Sequence, residues 1–199
     1  MRYLDIIQHF YPEDTPLRRL LILHSECVRD KALAILSALP TTTAQQLSLD
    51  PELVRSGAML HDIGIIHTHA PGILCEGTEP YICHGIIGAR MLREFVNEQT
   101  LSPAEQQQLE ACARICERHT GAGLTRENIL AQGLPIQPAA DLLPETPEER
   151  LVCLADKFFS KSGNPSREKS LDHIRRSMMK FGADSMARFE DLCMLFNIK

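Results

Sequence analysis

Residues 59–64, Met59–Leu60–His61–Asp62–Ile63–Gly64, set a histidine and an aspartate side by side behind an apolar helical run, with a glycine close after them. Adjacent positions on a helix point about 100° apart, so His61 and Asp62 make no two-point clamp on one face. At the end of a buried helix both can instead reach into one cavity and bind one or two metal ions. Leu53, Val54, Gly57, Ala58 and Leu60 carry the apolar face up to His61, behind the helix start Asp50–Pro51–Glu52. Gly57 and Ala58 are small enough for a neighbouring helix to approach closely. Gly64 reads as a left-handed residue that stops the helix, which puts His61 and Asp62 in the last turn.

A His-Asp dipeptide alone carries little weight; the rest of the chain supplies it. Thr15–Pro16 opens a long helix with Leu17, Leu20, Leu21, Cys27, Val28, Ala32 and Ile35 at helical spacing, and His24 lies on that stripe. Taken singly, His24 is either a core histidine with a hydrogen-bond partner or a ligand. A further helix restarts near Glu79–Pro80, with His84 early in it beside Gly85 and Gly88. Two glycines so close together cost helix stability, which close packing or room for a ligand must offset. Ser102–Pro103–Ala104–Glu105 is a capping box that opens a helix running to His119, where Thr120–Gly121–Ala122–Gly123 ends it. Thr146–Pro147–Glu148–Glu149 repeats the box and leads along Leu151, Val152, Leu154 and Ala155 to Asp156. A carboxylate on an apolar face needs a metal or a cation, and a surface salt bridge to Lys157 is the simpler alternative.

The remaining segments are plainer. Residues 3–10 read as a short opening helix, and Pro40 with Thr41–Thr43 as a polar loop. Residues 65–78 read as a loop whose His67 and His69 are taken as solvent-exposed and left out of the ligand set. Thr125 opens a short helix that stops near Gly133. The last third is basic, with Lys161, Arg167, Lys169, Arg175, Arg176 and Lys180, usually a solvated helix face, and Lys157 is the best placed of these cations for a phosphate. Met178, Phe181, Met186, Phe189, Leu192 and Phe196 supply a final core-facing helix. No run with a period of two stands out, and no linker divides the chain. The expected fold is all-α, a single domain over residues 1–199, its site core at about 20–161 and its C-terminal helices at 166–199 packed on that core.

Composition narrows the function. With no Trp and aromatics at 5% of 199 residues, the core rests on aliphatic side chains, which favours helices. A net charge of −5 argues against polymeric nucleic acid as the main partner. No apolar run approaches the ~18 residues needed to cross a membrane, and Met1–Arg2–Tyr3–Leu4–Asp5 lacks a secretory pattern. The seven cysteines form no Cys-x-x-Cys pair. Cys27, Cys112, Cys116 and Cys153 lie on apolar stripes and read as small buried hydrophobes, in a reduced, cytoplasmic protein.

Four helix-borne histidines and two aspartates form an N/O donor set suited to Zn, Fe or Mn. Their order, His24, His61–Asp62, His84, His119, Asp156, resembles the HD-domain superfamily of metal-dependent phosphohydrolases, in particular the subgroup named for a His-Asp-Ile-Gly motif, from about Leu20 to Lys161. The stretches Glu117–Arg118–His119–Thr120–Gly121–Ala122–Gly123 and Leu154–Ala155–Asp156–Lys157–Phe158–Phe159–Ser160–Lys161 look like small hydrolases of that subgroup from bacteria and archaea. The His-Thr-Gly element is also similar to bacterial HD hydrolases that cleave diadenosine tetraphosphate. By this resemblance His24, His61, Asp62 and Asp156 hold one divalent metal. His84 and His119 hold a second, with Asp62 bridging, and Fe or Mn are favoured over Zn, Mg, Ni or Co. Many relatives carry a lysine directly after the motif; this chain has Ile65. The missing cation then comes from Lys157 or Arg18, or is not needed.

The implied activity is hydrolysis of a phosphate ester or phosphoanhydride in a small, nucleotide-like substrate. Asp62 and Lys157 act in catalysis, and Lys157 and Arg18 hold the non-reacting phosphate. A monomer and a homodimer are both open. Two other classes share the resemblance: a di-iron oxygenase of the same fold, of which myo-inositol oxygenase is an example, and a non-catalytic signalling or binding module.

Overall fold

The helix starts are written in capping chemistry. Thr15, Asp50, Ser102, Thr125 and Thr146 each accept a backbone N–H from the first turn of the helix that follows, and the last three close full capping boxes. The computed structural model describes residues 3–199, so the first two positions of the N-terminal stretch lie outside the described residues. In chain order the helices are α1 (Tyr3–Phe10), α2 (Pro16–Ala38), α3 (Thr41–Leu47), α4 (Pro51–Leu60) and α5 (His84–Glu98). They are followed by α6 (Pro103–Arg118), α7 (Arg126–Ala131), α8 (Pro147–Asp156), α9 (Leu171–Met179) and α10 (Ala183–Leu195).

The architecture is helical, as the apolar periodicity implies, with three departures. The single final helix expected through residues 178–196 is broken after Met179 into α9 and α10, leaving Phe181 exposed. The polar stretch after Pro40 forms the helix α3 rather than a loop. The segment between α4 and α5 is not loop alone: three short strands, β1 (Thr68–Ala70), β2 (Cys75–Glu76) and β3 (Glu79–Pro80), make a small sheet in the order β2-β1-β3. β1 runs antiparallel to β2, with His69 opposite Glu76, and parallel to β3, with Thr68 opposite Glu79. A 3₁₀ turn over Tyr81–Cys83 then leads into α5, whose first residue is His84.

Two apolar clusters fill the interior. One joins Val28, Ala32 and Ile35 of α2 to Leu151, Val152 and Leu154 of α8 and to Phe189 and Leu192 of α10. The other joins Ile6 and Ile7 of α1 to Leu60, Ile63, Leu92 and Leu109 around α5 and α6. α4 and α6 contribute to both. Among the described residues, no helix is long and apolar enough to cross a membrane. All seven cysteines are unpaired.

The cap of α8 matters because Asp156 is its last residue. Thr146 Oγ1 accepts from the Glu149 backbone N–H at 3.2 Å, and the buried Glu149 carboxylate accepts from Arg114 at 2.8 Å. Thr146→Ala is expected to lower stability by about 1 kcal/mol, read as a shift in urea midpoint at unchanged slope.

Candidate metal centre

Three of the four imidazoles of the cluster sit where a helix begins or ends. His61 is the C-cap residue of α4 and His119 that of α6, while His84 opens α5 and His24 lies inside α2. All four are buried, as is Asp62, and Asp156 is 12% exposed at its side chain. Asp62 Oδ2 lies 3.2 Å from His24 Nε2 and 3.0 Å from His61 Nε2. Asp156 Oδ1 approaches the same two nitrogens at 3.1 and 3.5 Å. The other oxygen, Asp62 Oδ1, lies 3.3 Å from His84 Nε2 and 3.5 Å from His119 Nε2. The donor atoms therefore fall into two groups, His24–His61–Asp62–Asp156 and Asp62–His84–His119, with Asp62 in both.

The outward nitrogens fix the tautomers. Nδ1 of His61, His84 and His119 each lies 2.7 Å from the carbonyl three residues earlier: Ala58, Tyr81 and Cys116. A carbonyl only accepts, so Nδ1 donates in all three rings and each neutral ring aims the lone pair of Nε2 inward. Such backing is what orients imidazole ligands at metals. His84 Nε2 and His119 Nε2 are 3.0 Å apart, lone pair facing lone pair, a contact that needs a cation between them. A proton is disfavoured there: burial pushes the His84 pKa down to about 3 and that of His119 down as well.

In the other group, burial opposes charge on His61, but Asp62 and then Asp156 override it and hold its pKa up at about 9. Asp62 is itself held well below the carboxylate range; burial opposes this and His61 and Lys161 overcome it. Although ion-pair partners surround them, both Asp62 oxygens and His61 Nε2 lack a hydrogen bond of acceptable geometry. Buried polar atoms left in that state are rare. The donor set and its orphaned atoms fit a divalent metal.

Glycines let the elements meet this closely. Gly64 does not adopt the left-handed conformation expected of it; the described glycines with positive φ are 121, 123, 133, 163 and 182. It lies in a 3₁₀ turn over Ile63–His67, and a Cβ there would strike the His84 carbonyl and the backbone of Gly88. Gly85 likewise faces the Cys116 carbonyl. Close packing, rather than a helix stop, is what these positions require.

His84, His119 and Asp156 open onto a cleft of about 510 Å³ that is also lined by Lys157, Lys161 and Lys169. Lys157 Nζ contacts Asp156 Oδ2 at 2.6 Å and donates to the His119 carbonyl at 3.2 Å. Lys161 Nζ lies 2.5 Å from Asp62 Oδ2 and 6.0 Å above the Tyr81 ring, which itself stacks on His84. Arg18 is elsewhere. Its guanidinium donates to Gln8 Oε1 at 2.6 Å, and it does not line the cleft. Six residues before His24 on α2, it points about 120° away from that residue around the helix. The second cation of the cleft is Lys161, which follows α8 in an irregular segment where periodicity gives no direction; its signals in the sequence are its spacing of about one helical turn from Lys157 and its place at the end of the Leu154–Lys161 stretch. His67 and His69 are exposed, as expected.

A family model for the HD domain matches residues 21–160, a span that contains all six donor residues. The chain belongs to the HD-domain family. It is 41% identical over 111 residues to an uncharacterised protein of Methanocaldococcus jannaschii, covering 56% of this chain and 51% of that one. It is 30% identical over 169 residues to a Thermoplasma volcanium protein named tRNA (cytidine(56)-2'-O)-methyltransferase, covering 84% of this chain and 40% of the relative. A Picrophilus torridus protein of the same name is 34% identical over 141 residues, covering 71% and 32%. This HD-domain chain thus spans between about a third and a half of the length of those relatives. No solved structure matches it.

Metal binding to the folded HD domain alone raises its stability by mass action. At a free metal concentration tenfold above Kd the gain is about 1.4 kcal/mol, and a Tm rise of roughly 3–6 °C over the chelator-treated protein is expected in calorimetry.

Proposed function

We propose that this chain is a metal-dependent phosphohydrolase that cleaves a phosphate ester or phosphoanhydride of a small, nucleotide-like substrate. The observation that carries the reading is one juxtaposition: a buried His/Asp cluster sharing Asp62, at the wall of a cleft bearing three lysines. In this reading two divalent ions, iron or manganese, are held by the two donor groups, and Asp62 belongs to both. When bound, such ions acidify a water that serves as nucleophile and neutralise charge on the phosphoryl oxygens.

The chain's own groups do the rest. The Nδ1–H groups of His61, His84 and His119 stay hydrogen-bonded to backbone carbonyls, so with metal bound these rings present their Nε2 lone pairs inward. Lys157 and Lys161 face the cleft beside the carboxylates and are placed to donate to phosphate oxygens. Lys169 makes no ion pair among the described residues and adds unneutralised positive charge. Tyr81, Ile82 and Phe159 form apolar wall and limit water.

The names of the two longer relatives bring RNA nucleotides into view as substrates, while the net charge of −5 favours a small molecule over a polymer. Imidazoles, carboxylates and lysines converging on one cleft supply the means for phosphate hydrolysis, and that is the chemistry carried to this chain.

The test is phosphate release by protein loaded anaerobically with ferrous iron or with manganese, against a panel of nucleotides and a short RNA with a terminal phosphate. Release of phosphate or of a nucleotide product is expected with the small substrates. Oxygen uptake without hydrolysis would replace this reading by the oxygenase one, and neither activity would leave a binding module.

A further inference from the structure

A second cavity, of about 480 Å³, adjoins the cleft and shares Ser160, Ser162 and Lys169 with it. Its remaining lining includes Asn164, Arg167 and His173, donors suited to an anion. The one carboxylate in the lining, Glu168, is occupied by Lys31 at 2.6 Å. Asp172, next in sequence to the cavity, lies 3.8 Å from Arg175. Arg167 and Lys169 have no carboxylate partner among the described residues, whereas Lys157 and Lys161 each face a carboxylate of the metal centre. A backbone bond from Lys169 N–H to the Phe158 carbonyl, at 2.7 Å, ties the segment to the end of α8 beside the cleft.

Lys169 therefore stands at the junction of two cavities, one bordered by metal donors and one whose two cations, Arg167 and Lys169, have no carboxylate partner among the described residues. An anion that filled only the cleft would not reach Arg167, which lines the second cavity alone. We infer that the second cavity is a subsite for a second phosphate of the same substrate, so that the chain acts on molecules bearing two phosphate groups. This rests on the hydrolase reading for the cleft and names the substrate class. A separate free anion would satisfy the same cations, and linkage distinguishes the two sources, because tethered groups gain affinity only when one molecule spans both sites.

The experiment uses the manganese-loaded full chain and calorimetry. Its probes are methylphosphonate and alkylene bisphosphonates with one to four carbons between the phosphorus atoms. One linker length is expected to bind once per chain and about tenfold more tightly than methylphosphonate. Arg167 is exposed, so Arg167→Gln leaves the core intact; it is expected to cut that gain to below about threefold. No gain at any length would overturn the inference. So would two methylphosphonates per chain with no advantage on linking, which assigns the cavity to a separate anion, or a gain that survives Arg167→Gln. Hydrolysis of p-nitrophenyl phosphate by the same preparation is measured alongside. Its absence with every metal would sink the hydrolase reading, while the binding result would stand separately.

Discussion

Asp62→Ala is expected to reduce bound metal to less than one ion per chain and to lower kcat by at least about 1,000-fold. No other side chain of the cluster belongs to both donor groups. One oxygen faces His24 and His61 at 3.2 and 3.0 Å, and the other faces His84 and His119 at 3.3 and 3.5 Å. The truncation therefore removes a donor from each group at once. It also leaves the Lys161 ammonium, whose side chain is 10% exposed, without its carboxylate. Asp62→Asn keeps the volume and one oxygen donor but loses the charge, and separates these effects: it should retain more metal than Ala and remain inactive. Elemental analysis and phosphate release check both variants. Full turnover in Asp62→Ala would end the account of the site.

The second large effect is Gly64→Ala, expected to cost about 3 kcal/mol and to weaken metal binding although the residue is no ligand. The added methyl would meet the carbonyl of His84 and the backbone of Gly88 rather than a flexible side chain. The 3₁₀ turn that follows Asp62 and the start of α5, which carries His84, must then move apart. Separating them pulls Asp62 Oδ1 from His84 Nε2. Urea unfolding of the metal-free protein reads the packing cost, and metal titration reads the geometry. A loss below about 1 kcal/mol with unchanged metal affinity would mean that the contact yields easily, contrary to close-packed backbone.

Helix ends make most of the donor set legible in the sequence. Capping boxes at Ser102 and Thr146 fix where α6 and α8 begin, and apolar periodicity then delivers His119 and Asp156 to their far ends. The same signals failed where they are weak. α3 follows Pro40, an N-cap that makes no side-chain cap bond, and buries no residue, so its threonines read as loop. The strands between α4 and α5 are two or three residues long, too short to show alternation. Arg18 and Lys161 show the limit for sites. Proximity to His24 in sequence put Arg18 on the wrong face of α2, and Lys161 reaches Asp62 through a turn that no period describes. Gly64 was legible as necessary but not for its reason, since a tertiary contact with α5 is invisible along the chain.

The most direct test of the shared-carboxylate centre is metal content per chain in protein purified under nitrogen without added metal or chelator. Two ions of iron or manganese per chain, falling below one in Asp62→Ala, is the result predicted. No metal in the wild-type chain, and none taken up on reconstitution, would contradict it.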